Sequence, residues 1–141
     1  MFLIDTDHLS FLQRKSEPES SNILRRMSAH TAADFFTSIV SFQEQIQGWQ
    51  SELGRSKSSL QITYAYQRLK HLLIDYAKLN VLEFDQTAAQ QVEQFRKAGI
   101  RIGTLDLRIA SIAITFGFTV LTRNVSDFRL VPGLQVEDWS Q

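Results

Sequence analysis

The chain contains no cysteine. Neither a disulfide framework nor a thiolate zinc site is therefore available; a reducing cytoplasm is the expected compartment, and any metal must be held by oxygen or histidine. Histidine is scarce too: His8, His30 and His71 share no ligand spacing, and no His-Glu-x-x-His motif occurs. Long apolar runs are missing. The longest, Ile109 to Phe116, is interrupted by Ser111 and Thr115 and is too short to span a bilayer. The opening Met-Phe-Leu-Ile meets Asp5 before a basic n-region or an apolar h-region can form, so neither secretion nor membrane insertion is expected. Charge of one sign is also lacking, since 15 Lys and Arg balance 15 Asp and Glu. That balance removes any overall attraction for nucleic acid but leaves room for a local basic patch beside an acidic site. No Walker loop, Gly-x-Gly-x-x-Gly fingerprint or Gly-x-Ser-x-Gly elbow appears, so phosphate-loop, dinucleotide and serine-nucleophile chemistries have no support.

What is present suffices for a core: 43% of the 141 residues are hydrophobic, and no repeat or linker divides them. One domain over 1–141 is expected. Four short apolar runs read as buried strands: Phe2 to Ile4, Phe35 to Val40, Val81 to Phe84 and Thr119 to Thr122, with Gln135-Val136 as a weak fifth. Helical spacing fills the intervals. Asp7 is placed to cap a helix from His8 to Arg14, and Asp85 to cap one bearing Ala88, Ala89, Val92 and Phe95 that stops at Gly99. Thr104 opens an apolar helix closed by Gly117, and Ser58 to Leu79 forms one long helix or a pair. Lys15 to Ser21, with Pro18 and several serines, reads as a loop. Strands alternating with helices predict a three-layer α/β/α domain around a central, mostly parallel sheet of four to five strands.

In such sheets, ligands bind beyond the carboxyl ends of the strands where strand order reverses. Four acids can reach that edge: Asp5 directly after the first run, Glu44 after the second, Asp106 in the first turn after Gly103-Thr104, and Asp127 after the last. Carboxylates gathered together repel one another unless a divalent ion such as Mg²⁺ or Mn²⁺ joins them, and such an ion supports phosphodiester hydrolysis. Each acid also has an ordinary explanation. Asp7 serves as a helix cap, Glu44 ends Ser41-Phe42-Gln43-Glu44 in a match to the capping box, Asp106 complements a helix dipole, and Asp127 sits in a solvated loop. Asp5 has the least structural purpose. His8 stands beside the acids, either touching substrate or exposed on its helix.

The segments around these acids together resemble PIN-domain ribonucleases. Phe-Leu-Ile-Asp5-Thr6-Asp7 and Thr37-Ser38-Ile39-Val40-Ser41-Phe42-Gln43-Glu44 are similar to the first two motifs of that family. Gly103-Thr104-Leu105-Asp106 and Leu121-Thr122-Arg123-Asn124-Val125-Ser126-Asp127-Phe128 resemble the third and fourth, and Val131 to Trp139 looks like the ending of VapC-type toxins. The resemblance implies an Mg²⁺- or Mn²⁺-dependent endoribonuclease, commonly a homodimer, acting on structured RNA such as tRNA or rRNA and inhibited by a small antitoxin protein. By position it implies that Asp5 and Asp106 are the principal metal ligands, that Glu44 completes the acidic cluster, and that Asp127 is the fourth acid, held by the turn Thr122 to Asn124. Two departures stand out: Arg123 replaces a small polar residue, which changes substrate contact or pairs it with an acid, and Gln43 to Gln47 is unusually polar.

Two other readings compete. Asp5 and Asp7 with Asp85 imitate the acidic pocket and phosphoacceptor of a receiver-like signalling domain, although no lysine follows Lys97 to pair with a phosphoryl group. A nuclease-like fold without catalysis, serving as an RNA- or protein-binding module, is the other. Arg14, Lys15, Arg25, Arg26, Arg108, Arg123 and Arg129 are candidates for holding RNA, or are solvated surface charge. Phe35-Phe36, Trp49 and the Tyr64 and Tyr66 pair read as core or dimer contacts rather than base-stacking platforms.

Overall fold

Successive residues of a strand face opposite sides of a sheet, and the short apolar runs use that period on both sides. The computed structural model describes residues 1–141 and contains five strands: β1 Phe2–Ile4, β2 Phe35–Ser38, β3 Val81–Leu82, β4 Thr119–Leu121 and β5 Val136–Glu137. Their order is β3-β2-β1-β4-β5, and every neighbouring pair is parallel. Leu3 and Val120 turn to one face, Ile4 and Leu121 to the other, and all four are buried. A fully parallel sheet requires crossover helices, which cover both faces and account for near-continuous apolar strands.

Seven helices supply that cover: α1 Thr6–Arg14, α2 Glu19–Met27, α3 Ile39–Arg55, α4 Ser59–Lys78, α5 Gln86–Lys97, α6 Thr104–Phe116 and α7 Val125–Phe128. One core joins Leu3 and Val120 to Phe95 of α5, the Leu107, Ile109 and Ile112 side chains of α6 and Phe128 of α7. The second joins Ile4 and Leu121 to Leu9, Ile23, Leu72, Tyr76 and Trp139. The expected three layers are therefore present, and the sheet is parallel throughout.

Several local expectations change. The second strand ends at Ser38, whose hydroxyl accepts from Ser41 N at 3.1 Å and caps α3, so Ile39 and Val40 begin a helix despite their β-branched side chains. Part of the supposed loop, from Glu19 onward, is α2, held by the fully buried Ile23. The segment after Ser58 is one helix, capped by Ser58. Asp85 caps α5 through Ala88 N at 2.9 Å, and Gly117, with φ 70°, closes α6 as expected.

Chain order fixes where a site can form. From β1 the chain steps outward to β2 and β3, then returns to the other side of β1 for β4 and β5. Strand order reverses between β1 and β4, and the crevice beyond their carboxyl ends is bounded by Asp5 and Thr122.

Candidate active site

Asp5 is the first residue past β1, and its backbone N donates to Leu121 O at 3.0 Å, which ties it to β4. Its carboxylate caps α1, the role the sequence offered to Asp7. Thr6 N donates to Oδ1 at 2.7 Å, and Thr122 Oγ1 donates to Oδ2, also at 2.7 Å. Only 5% of Asp5 is exposed. Burial, and then the charge of Asp7, push its pKa up to about 7 against the hydrogen bonds from Thr122 and Thr6.

Glu44 lies in the second turn of α3 rather than in a capping box, because Ser38 and not Ser41 begins the helix. Its Oε1 accepts from Thr6 Oγ1 at 2.8 Å, a contact between residues 38 apart in sequence. Asp106 is in the first turn of α6, and its Oδ2 accepts from Asn124 Nδ2 at 3.0 Å. Both carboxyls are raised above the ordinary range. For Glu44 burial dominates, with Thr6 opposing and the charges of Asp106 and Asp7 adding; for Asp106 burial dominates, with Asn124 opposing and Asp127 and Asp7 adding.

One carboxylate oxygen from each of Asp5, Glu44 and Asp106 lies within 4.8 Å of the others. The ion pair of Arg55 with Glu52 and the close contacts of the His8 ring with Asp7 and Asp138 involve none of the three. Their partners are neutral donors: two threonines, a backbone N–H and an asparagine. Three buried or half-buried oxygen ligands with raised proton affinity and no cationic side chain match the hard-donor set that Mg²⁺ or Mn²⁺ prefers, so the residues fit a divalent ion.

Asp127 stands one layer behind. Asn124 Nδ2 donates one proton to Asp106 Oδ2 and the other to Asp127 Oδ2, each at 3.0 Å, so the fourth acid reaches the cluster through an amide. Fully buried Phe128 anchors α7 and fixes Asp127 in its first turn. Asp7 is not one of the trio, although its charge reaches all three. Burial opposes its ionisation, but bonds from the His8 ring, Arg123 N and His8 N hold its pKa below the ordinary value.

His8 is not exposed: it is completely buried, its Nε2 accepts from Trp139 N at 3.0 Å, and its Nδ1 lies 2.8 Å from Asp7 Oδ1. The ring ties the C-terminal segment to the β4–α7 turn and does not face substrate. Arg123 pairs with no acid, and its guanidinium lies 5.5 Å from the Phe11 ring centroid. Arg108 similarly lies over Phe84. Asp85 is engaged as a helix cap, which removes the phosphoacceptor of the receiver-like reading. Thr6 was the residue that sequence reasoning missed; its only signal was its position between two acids immediately after a strand.

Known proteins resemble this chain in sequence and fold. The PIN domain matches residues 2–134. The tRNA(fMet)-specific endonuclease VapC of Salmonella typhimurium is 29% identical, over 98% of this chain and 97% of the relative. The plasmid stability protein StbB of Pseudomonas syringae pv. tomato is 33% identical, over 96% of each. Among solved structures, DNA-bound VapBC from Salmonella typhimurium aligns with a TM-score of 0.72 and 27% identity, covering 98% of this chain and 97% of that one. VapBC-1 from nontypeable Haemophilus influenzae aligns with a TM-score of 0.76 over 99% of this chain and 98% of that one, and at 23% identity it shows the fold alone. With the family match spanning nearly the whole sequence and the converging carboxylates built on its strand ends, this chain belongs to the PIN-domain family.

Proposed function

We propose that the chain is a divalent-ion-dependent endoribonuclease, the toxin of a type II toxin–antitoxin pair, with residues 1–141 forming one nuclease domain. The observation that carries this reading is the convergence of Asp5, Glu44 and Asp106 without a cationic partner. Asp5 and Asp106 are the principal ligands of Mg²⁺ or Mn²⁺, and Glu44 completes the cluster. Bound there, the ion would activate a water and offset the charge that develops on the phosphodiester. The protein's part is orientation. Thr6 and Thr122 fix the two Asp5 oxygens, and Asn124 turns Asp106 inward while keeping Asp127 in reach. Thr6 binds Glu44 Oε1, which leaves Oε2 to take a proton from the attacking water, a task suited to a carboxyl of raised pKa. Asp127 supports Asp106 from behind the amide of Asn124.

The partners follow from the relatives' names. An endonuclease specific for a tRNA and a toxin–antitoxin complex among the structural neighbours support an RNA substrate and a small inhibitory protein here; a homodimer is the assembly that the family resemblance implies. A binding module without catalysis is the less favoured reading, since all four acids are in place. The test is incubation of purified protein with an RNA pool in Mn²⁺, in Mg²⁺ and in chelator. Cuts that need the ion and vanish in Asp5→Asn and Asp106→Asn are expected; equal cutting by wild type and both variants would sink the assignment.

A further inference from the structure

A cleft of about 260 Å³, slightly smaller than the usual small-ligand cleft, opens from the acid cluster between α1 and α3. Its walls are two helical stripes. Thr6, Ser10 and Arg14 recur every four residues on α1; Glu44, Gly48 and Glu52, with Gln45 and Trp49 beside them, do the same on α3. The inner end is the site itself, because Thr6 binds Glu44 and Glu44 belongs to the carboxylate trio. Toward the outer end an aromatic ring and a cation, Trp49 and Arg14, join the lining, and the one carboxylate there, Glu52, is paired with Arg55.

Trp49 is half-buried in that wall: part of the indole packs against the second core, as the sequence suggested, and the rest lines the cleft. From α4, Arg68 lies 5.9 Å from its ring centroid and Tyr64 meets it edge-on with centroids 5.8 Å apart. The indole is thus steadied from outside the cleft that it lines. Arg14 across the cleft forms no ion pair, whereas Glu52 is paired with Arg55 at 2.6 Å. Gln45 is fully engaged: its Nε2 donates to Ser10 Oγ at 3.1 Å and Gln13 Oε1 at 2.7 Å, and its Oε1 accepts from Tyr76 OH at 2.8 Å. Ser10 accepts from Gln45, which leaves its own hydroxyl proton to give. Gly48 leaves space, for a Cβ added there meets no atom within 4 Å.

Distance relates the cleft to the site. Trp49 follows Glu44 by five residues of α3, about 7.5 Å along the helix axis. At about 3.4 Å per stacked nucleotide this is roughly two nucleotides. We propose that the cleft is a nucleobase subsite, in which an unpaired nucleotide one or two positions from the cleaved phosphodiester stacks on Trp49, with Arg14 at its phosphate and the Ser10 hydroxyl at a polar edge. Stacking tolerates any base, so the subsite selects RNA that is single-stranded beside the cut more than it selects a sequence. The inference rests on the ribonuclease reading, and its test keeps the two apart.

Cleavage sites are first mapped on a single-stranded oligoribonucleotide, and each nucleotide within two positions of the cut is then replaced by an abasic one. In wild type and Trp49→Phe, one such replacement lowers kcat/KM by roughly 5- to 150-fold, mainly through KM. Trp49→Ala takes that loss on the intact RNA and shows no further loss with the abasic one. Gly48→Leu, a change that favours the helix and whose Cβ meets no atom within 4 Å, takes the same loss by filling the cleft. The subsite is refuted if Trp49→Ala keeps the abasic penalty, or if Gly48→Leu cleaves like wild type. A binding arm uses Asp106→Asn protein: the oligoribonucleotide quenches tryptophan fluorescence, and adding Trp49→Phe removes the quench. Absence of quenching overturns the subsite whatever the cleavage result. Quenching with no cleavage by wild-type protein upholds the subsite and refutes the ribonuclease reading.

Discussion

Replacing Asp5 by asparagine should stabilise the ion-free protein while abolishing its activity, and the gain should depend on pH. With a pKa raised from 3.8 to about 7, Asp5 keeps a proton in the folded state that the unfolded chain has released. Folding stability is consequently lost as pH rises from about 4 to about 7. At about 1.4 kcal/mol for each pH unit of that interval, the ionised carboxylate costs on the order of 4 kcal/mol at pH 8. Asparagine caps a helix as well as aspartate does, so the bond from Thr6 N survives. The amide no longer accepts the Thr122 proton, which must turn to Asp7 Oδ2, now 3.3 Å away, at a cost of about 1–2 kcal/mol.

The net gain at pH 8 is about 2–3 kcal/mol, or roughly 6–9 °C in the unfolding midpoint for a chain of this size. At pH 5 the relieved penalty is below about 2 kcal/mol and the two effects nearly cancel. Thermal unfolding followed by circular dichroism, in chelator at both pH values, measures the difference. An Asp5→Asn protein less stable than wild type at pH 8, or a gain equal at pH 5 and pH 8, would refute the view that uncompensated charge at Asp5 strains the fold.

Saturating Mn²⁺ should raise the wild-type midpoint, by about 2.7 kcal/mol at a hundredfold excess over Kd, and calorimetric titration should show affinity falling below pH 7 as the ion competes with the Asp5 proton. Asn124→Ala removes the donor shared by Asp106 and Asp127; urea unfolding without the ion should show a loss of about 1–3 kcal/mol at pH 8 and a smaller one at pH 4. His8→Ala empties a fully buried site and frees both Asp7 and Trp139 N, for an expected loss of about 2–4 kcal/mol. Asp7, with its lowered pKa, contributes stability present above the ordinary carboxylate range and lost as pH falls, so the stability lost in His8→Ala should be larger at pH 7 than at pH 3; an equal loss at both would deny the His8–Asp7 coupling.

What the sequence made legible was whatever depends on local pattern. Strand period, the Asp85 cap, the Gly117 stop and the acids beyond strand ends are all written within a few residues of where they act. Competing local signals misled where two residues of one type lie close together. Ser38 and Ser41 are both fit to start α3, and only the hydroxyl of Ser38 reaching Ser41 N decides against a capping box at Glu44. Asp5 and Asp7 likewise compete for one cap, and the residue nearer β1 takes it. Contacts across the chain left no trace. Thr122 meets Asp5 across 117 positions, and His8 is buried by a tail 131 positions away. Such pairings exist only once β4 lies against β1.

The neutrality of the supporting donors follows from the charge they surround. A lysine or arginine in place of Thr6, Thr122 or Asn124 would offset the carboxylates permanently and remove the need for an ion. Hydroxyl and amide donors orient each carboxylate and leave most of the negative charge in place. The same deficit that weakens the ion-free fold thus supplies affinity for any cation that can reach it. A protein inhibitor could exploit this by inserting an arginine, whose planar fork suits carboxylates and whose charge would meet the deficit without supplying an ion's chemistry. Activity and inhibition would then draw on one property of the site, the unpaired charge of Asp5, Glu44 and Asp106.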